Sequence, residues 1–219
     1  MGKRVIITGA TGYVGEGVLL ECLADPSIGE VLVVGRKSCG RTHTKLKELL
    51  VQDFFSLGAV AERLRGYDGC FYCAGVSSVG KNEADFTRLT YDTTIAFAKA
   101  VHGASPQATF IYVSGGGTDS SEKGKLMWAR VKGRTENDLA RMGFARQFNF
   151  RPGIMTLTPG MRNPKWWMRA LVPIFAVVMP WATCSMKQVG QAMINAVLQG
   201  YAKNVLDVKD IKALATVPA

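Results

Sequence analysis

Acidic side chains are scarce in this sequence. Its 219 residues carry 17 Asp and Glu against 27 Lys and Arg, a formal net charge of +10. That balance suits an anionic partner: nucleic acid, an acidic membrane surface or an anionic cofactor. The chain has no aromatic–glycine RNA-binding motif and no zinc-finger spacing, which argues against a direct nucleic-acid function. Long hydrophobic runs are also missing. Leu171 to Met179 is apolar for only nine residues, is broken by Pro173, and lies between Arg169 and Lys187. A bilayer span needs about 20 apolar residues, so no transmembrane segment is expected. The run should pack in the core, line the substrate pocket or form a homodimer contact, and an exposed patch would favour the last. Five cysteines, an odd number without framework spacing, exclude a disulfide scaffold and fit reduced thiols in a cytoplasmic protein. His43 and His102 lie far apart, so no metal site is expected. Met1-Gly-Lys-Arg4 leads directly into an apolar stretch, so no secretory signal is expected; Ile6 stands where a myristoylation motif needs Ser or Thr.

Hydrophobic residues make up 47% of the chain, enough for a substantial core, and its length fits one large α/β unit. Buried-strand runs at Val5–Thr8, Val31–Val34, Leu49–Val51, Cys70–Cys73, Thr109–Ser114 and Gln147–Phe150 alternate with helical patterns. Those patterns run through Val14, Val18, Leu19 and Leu23 and then at Phe54–Leu64, Glu83–Ala104 and Leu126–Met142. The alternation predicts an α/β fold: a doubly wound parallel sheet (Rossmann) with ligands at the strand C-termini. Residues 161–186, rich in Trp, Met and Pro, should form helices beside the site mouth. Gln188–Gln199 reads as a helix and Val205–Val208 as an edge strand. The whole chain, 1–219, is expected to be one domain, with residues 154–219 adding a small C-terminal helical lobe on the substrate side.

The chain is organised around Val5-Ile-Ile-Thr-Gly-Ala-Thr-Gly-Tyr-Val-Gly15, where a β-branched strand enters a G-x-x-G-x-x-G turn and then a helix. Gly9 permits the tight turn, Gly12 lets a pyrophosphate reach the backbone, and Gly15 lets helix and strand pack closely. The helix N-terminus then offers free N–H groups and a favourable dipole to phosphate. Thr8-Gly-Ala-Thr-Gly-Tyr-Val-Gly15 resembles the nucleotide-binding turn of the extended and atypical short-chain dehydrogenase/reductases, a superfamily that includes the NAD-dependent epimerase/dehydratases. The resemblance implies cofactor contacts from Gly9, Thr11, Gly12, Tyr13, Val14 and Gly15.

Gly35-Arg36-Lys37 stands about 20 residues past the glycines, where NAD enzymes keep an acid for the ribose hydroxyls. Arginine there can grip a 2′-phosphate, so NADP(H) is expected over NAD(H). The likeness further implies adenine contacts from Asp53 and Phe54, although Asp53 could equally cap the next helix. Cys73-Ala74-Gly75 should lie against the adenosine ribose, and Pro152-Gly153, after Arg151, near the nicotinamide. Cys70 and Cys73 form a C-x-x-C, but inside a strand the three-residue offset sends them to opposite faces. Ser114 stands where the family keeps its substrate-orienting serine. The expected Tyr-x-x-x-Lys reads Trp128-Ala-Arg-Val-Lys132 here. Lys132 can still hold a ribose, but Trp128 has no titratable hydroxyl. The chain resembles atypical members similar to the Tat-interacting oxidoreductase-like proteins. An oxidoreductase with an unidentified small-molecule substrate is expected; a cofactor-binding sensor or interaction protein is the alternative. Tyr112 and Tyr91 stand as substitute proton donors.

Overall fold

The computed structural model describes residues 2–163, 172 and 175–217. Nine strands form two sheets among these residues. In chain order they are β1 (Lys3–Thr8), β2 (Ile28–Gly35), β3 (Leu46–Leu50), β4 (Gly69–Tyr72), β5 (Thr109–Val113), β6 (Arg146–Phe150), β7 (Ile154–Thr156), β8 (Thr183–Ser185) and β9 (Val205–Leu206). The main sheet runs β3-β2-β1-β4-β5-β6-β9 with every neighbour parallel. The chain winds outward from β1 to β3, then returns to β4 on the other side of β1. That reversal opens a crevice at the C-terminal ends of β1 and β4, where doubly wound sheets bind ligands.

Alternation along the strands divides the core between the two sheet faces. Val5, Ile7, Val31, Val33, Phe71 and Ile111 join one cluster, against helices α1 (Tyr13–Ala24), α5 (Met186–Leu198) and α6 (Val208–Ala215). Ile6, Leu32, Val34, Cys70, Tyr72, Phe110 and Tyr112 join the other. There they meet α3 (Thr93–Ala104) and Leu139 of α4 (Met127–Ala140). Helix α2 (Glu83–Thr87) leads into α3 through a π turn at Arg88–Asp92. The expected Glu83–Ala104 helix is therefore one rod with a wide turn inside it.

Elsewhere the structure corrects the expected bounds. The third strand starts earlier and ends sooner than Leu49–Val51, because Leu46 to Leu50 pair along β2 from Val31 to Gly35. Phe54–Leu64 is not one helix. Asp53 Oδ1 accepts from the Phe55 and Ser56 amides, fixing a turn, and a 3-10 helix follows at Gly58–Leu64. The edge strand stops at Leu206, because Asp207 caps α6 by accepting from the Lys209 and Asp210 amides. Of the helices expected over 161–186, residues 164–171, 173 and 174 lie outside the described residues; the described ones are helical at 172 and 175–178, with a 3-10 turn at Pro180–Ala182 and β8. Leu171, Pro173 and Ile174 of the apolar run lie outside the described residues. Within the run Val172 is buried, whereas Phe175, Val177 and Val178 are exposed. No described helix is long and apolar enough to cross a membrane.

Candidate functional site: a glycine cradle beside a buried serine–glutamate–arginine cluster

The turn after β1 is held by backbone geometry. Gly9 has φ +71°, which strains any residue with a Cβ. A Cβ on Gly15 would lie 2.2 Å from the Gly9 carbonyl oxygen, so α1 starts directly on the turn. Gly12 is its N-cap and brings no side chain to the first amides. Thr11 and Gly12 are exposed, Tyr13 and Val14 half-buried. The helix thus begins at an exposed turn with no side-chain cap, the arrangement that can hold phosphate. On its far wall Thr8 Oγ1 accepts from the Ala74 amide at 3.1 Å, which ties the exit of β4 to β1. A Cβ on Gly75 would meet nothing within 4 Å, so this wall is open as well. These features fit a dinucleotide.

Arg36 and Lys37 are exposed at the end of β2 and have no hydrogen-bond or ion-pair partner among the described residues. Asp53 is exposed and its carboxylate caps the turn described above, while Phe54 is buried, its ring 4.9 Å from that of Phe97. Cys70 and Cys73 pack against opposite core clusters. Burial pushes the Cys73 thiol up to about 12 and the Cys70 thiol well above its usual range, so neither is a ready thiolate. All five cysteines are unpaired.

A second group of residues meets at the ends of β5 and β6. Ser114 follows β5 and is only 1% exposed. Its hydroxyl donates to Glu136 Oε1 and to the Phe150 carbonyl. Glu136, on α4, is 2% exposed and also accepts from Arg151 Nε at 2.9 Å and from Arg151 Nη2. Arg151 Nη2 in turn donates to the Ser120 hydroxyl. Lys132 lies one turn before Glu136, and its Nζ donates to the Ser114 carbonyl. Burial pulls the Lys132 ammonium below its usual range, and Glu136 opposes that shift. Trp128, a further turn back, lies over the loop after β5: a Cβ on Gly117 would be 3.2 Å from its Cη2. The Gly116 amide donates to the Pro152 carbonyl at 3.0 Å, which joins that loop to the turn after β6. A Cβ on Gly153 would lie 2.1 Å from the Ala182 carbonyl oxygen, so the segment before β8 sits directly on this turn.

The sequence profile of the NAD dependent epimerase/dehydratase family matches residues 5–123, more than half of the chain. This chain belongs to that family. Protein HTATIP2 of Rattus norvegicus is 26% identical over 169 residues, which cover 76% of this chain and 68% of that protein. Protein FMP52, mitochondrial, of Meyerozyma guilliermondii is 27% identical over 154 residues, 69% of this chain and 65% of that protein. The alignment therefore spans just under two thirds of that relative's length. Among solved structures, the ADP-L-glycero-D-manno-heptose-6-epimerase of Helicobacter pylori superposes with a TM-score of 0.69 at 14% identity, covering 94% of this chain and 76% of that one. That likeness concerns the fold.

Within this epimerase/dehydratase framework, the structure brings Ser114, Lys132, Trp128, Pro152 and Gly153 into one neighbourhood, and the glycine turn, Ala74 and Gly75 into another. Both substitute tyrosines reach α4, but their hydroxyls are engaged: that of Tyr112 bonds Thr135 and feels the Glu136 charge. Tyr112 is 2% exposed in the aromatic core, and burial pushes its hydroxyl far up. The Tyr91 hydroxyl donates to Asp138 at 2.6 Å, which raises its pKa, and Arg134 lies over its ring. Sequence reasoning missed Glu136 and Ser120. The spacing of Lys132 and Glu136 puts both on one helix face, but nothing local pairs either with Arg151.

A further anchor was missed on α1. Glu16, 1% exposed, accepts from Arg41 Nη2 and from the Arg162 and Asn163 amides, each amide at 2.8 Å. Burial alone would raise the Glu16 carboxyl, but these donors and the Arg41 charge lower it overall. The basic loop after β2 and the segment around Arg162 are thereby bound to the first turn of α1.

Proposed function

We propose that this protein binds NADP(H) across the Gly9–Gly15 turn and is an oxidoreductase with an atypical centre. The observation that carries the reading is the bare N-terminus of α1, set on the glycine turn at the switch between β1 and β4. In this reading Arg36, unpartnered at the end of β2, grips the 2′-phosphate. Cys73, Ala74 and Gly75 line the adenosine side, with Asp53 and Phe54 beyond them, and Lys132 holds the nicotinamide ribose. The bound cofactor would supply the hydride; the chain supplies position and charge. Ser114 orients the substrate once its hydroxyl turns from Glu136, and Trp128 shields the reacting face from water in place of a tyrosine. The free thiols support a reducing compartment, the cytoplasm. Cell fractionation tests this, since several relatives are named mitochondrial.

Titration calorimetry tests the cofactor reading. NADPH should bind more tightly than NADH, and Arg36→Asp should reverse the order; equal affinities, or a variant with unchanged preference, refute it. A second reading, a cofactor-binding sensor or interaction protein, is favoured by one feature: the Ser114 hydroxyl is turned into Glu136 and Trp128 brings no acid. General acid catalysis contributes about 10²–10⁴-fold. Ordinary ketones should therefore turn over slowly and quinones faster. NADPH oxidation against carbonyl and quinone panels separates the two readings, because a sensor consumes cofactor with neither.

A further inference from the structure

Four large apolar side chains stand out of the surface within one stretch of seven residues. Phe175 is 41% exposed, Val177 81%, Val178 62% and Trp181 70%. The stretch is ordered by its backbone: the Met179 amide donates to the Phe175 carbonyl at 2.8 Å, and the Ala182 amide to the Met179 carbonyl at 3.0 Å. Two cations flank it. Lys212 Nζ donates to the Pro180 carbonyl at 2.8 Å, and Lys187 is exposed in the first turn of α5. Among the described residues neither Lys187 nor Lys212 forms an ion pair, and Asp210, on the helix of Lys212, is held by Lys203 and Tyr201. From Leu139 to Leu206 the sequence has no Asp or Glu and eight Lys or Arg. Asp207, the next acid, spends its carboxylate on the cap of α6.

We propose that this face docks reversibly on an anionic membrane surface, with Val177, Val178 and Trp181 inserted at the level of the headgroups. Apolar and tryptophan side chains ringed by lysine, on a segment too short to span, match the chemistry of an interfacial anchor. Charge decides against a second copy of this chain. An isologous dimer would bring Lys187 and Lys212 of both copies together, and neither has an ion-pair partner among the described residues. The proposal is independent of the cofactor reading.

The full chain is tested by vesicle flotation, with phosphatidylcholine alone against phosphatidylcholine containing phosphatidylserine. We expect it to float with the anionic vesicles, to be released by raised salt, and to remain below with the neutral ones. Trp181→Ser and the pair Val177→Ser with Val178→Ser should each weaken binding about tenfold, because the inserted apolar area is lost. Lys187→Glu should weaken it about tenfold as well, through lost attraction and added repulsion. Melting temperatures should hold throughout, since these side chains are exposed. Three results would overturn the proposal. One is a chain that stays unbound with both vesicles. Another is anionic binding that Trp181→Ser leaves unchanged. The third is a dimer in sedimentation that Trp181→Ser converts to monomer, which would give the face to a second copy.

Discussion

Removing the charge of Glu136 tests the buried cluster at the ends of β5 and β6. The carboxylate is 2% exposed and its guanidinium partner on Arg151 20%. Glu136→Gln keeps an oxygen for Ser114 or Arg151 but turns an NH₂ group on the other donor, leaving a largely buried cation without its anion. Breaking a buried pair from one side costs about 3–5 kcal/mol. Arg151 retains some water, which places the loss near the lower end, about 3 kcal/mol. For a chain of this length each kcal/mol moves the melting temperature by about 2–4 °C, so Glu136→Gln should melt about 6–12 °C lower. Arg151→Met strands the more deeply buried partner and should cost more. Combining both changes removes both halves of the ion pair and leaves Lys132 as the cluster's remaining cation, so the double variant should be more stable than the sum of the singles by about 2 kcal/mol. Urea and thermal unfolding of the four proteins measure this cycle. A Glu136→Gln protein that melts within 2 °C of the parent, or singles that simply add, would refute the coupling.

Gly15→Ala should abolish cofactor binding and destabilise the fold, because its Cβ would lie 2.2 Å from the Gly9 oxygen, whereas Gly75→Ala should keep the parental melting curve and lose only cofactor affinity. Circular dichroism with calorimetry reads both, and the account of the cradle is wrong if Gly15→Ala behaves as the parent. Trp128→Tyr should raise NADPH-dependent reduction of ketones without changing cofactor affinity; kinetics that stay flat would show that the indole does not occupy the proton donor's place. Acid should expose the Glu30 pair network. Burial would raise this carboxyl, but hydrogen bonds from Lys47, Tyr67 and Arg4 outweigh it and hold it at about 2 against the usual 4.5. A depressed carboxyl stabilises the fold above its unfolded value, and that contribution is lost as pH falls from 4.5 towards 2. Glu30→Gln should flatten stability against pH in that window, and an unchanged slope would contradict the assignment.

The parallel sheet was readable because its strands are buried on both sides. Val5 to Thr8 and Val31 to Val34 are apolar or β-branched throughout, and the glycine turn follows Val5 to Thr8 directly. β3 was harder, as an edge strand that carries Lys47 and Glu48 among its leucines. β7 and β8 have three residues each and pair across an interval in which no local pattern announces a partner. The site divided along the same line. Ser114, Lys132 and Trp128 were singled out through the family resemblance, which ties each to a strand end or helix that the pattern shows. The Glu136–Arg151 and Glu16–Arg41 pairs escaped because ion pairing between distant elements leaves no periodicity. Asp53 had two readings, and its observed hydrogen bonds are those of the turn.

The anchoring of Glu16 bears on the order in which the chain can fold during synthesis. Its carboxylate leaves water at residue 16, but its two amide donors arrive only with residues 162 and 163. An ion buried without its partners costs several kcal/mol, comparable with the whole stability of many domains. The segment matched by the family profile, 5–123, ends well before those donors are made. An emerging chain that has finished its first four strands has Arg41 to pair with Glu16 but lacks both amides that complete its burial. α1 also waits for α5: a Cβ on Gly17 would fall 1.9 Å from the Met186 side chain, so the two helices seat together. Completion of the nucleotide-facing half is thus deferred until most of the chain has left the ribosome. A fragment cut near residue 123 should remain loose and prone to chaperones and proteases.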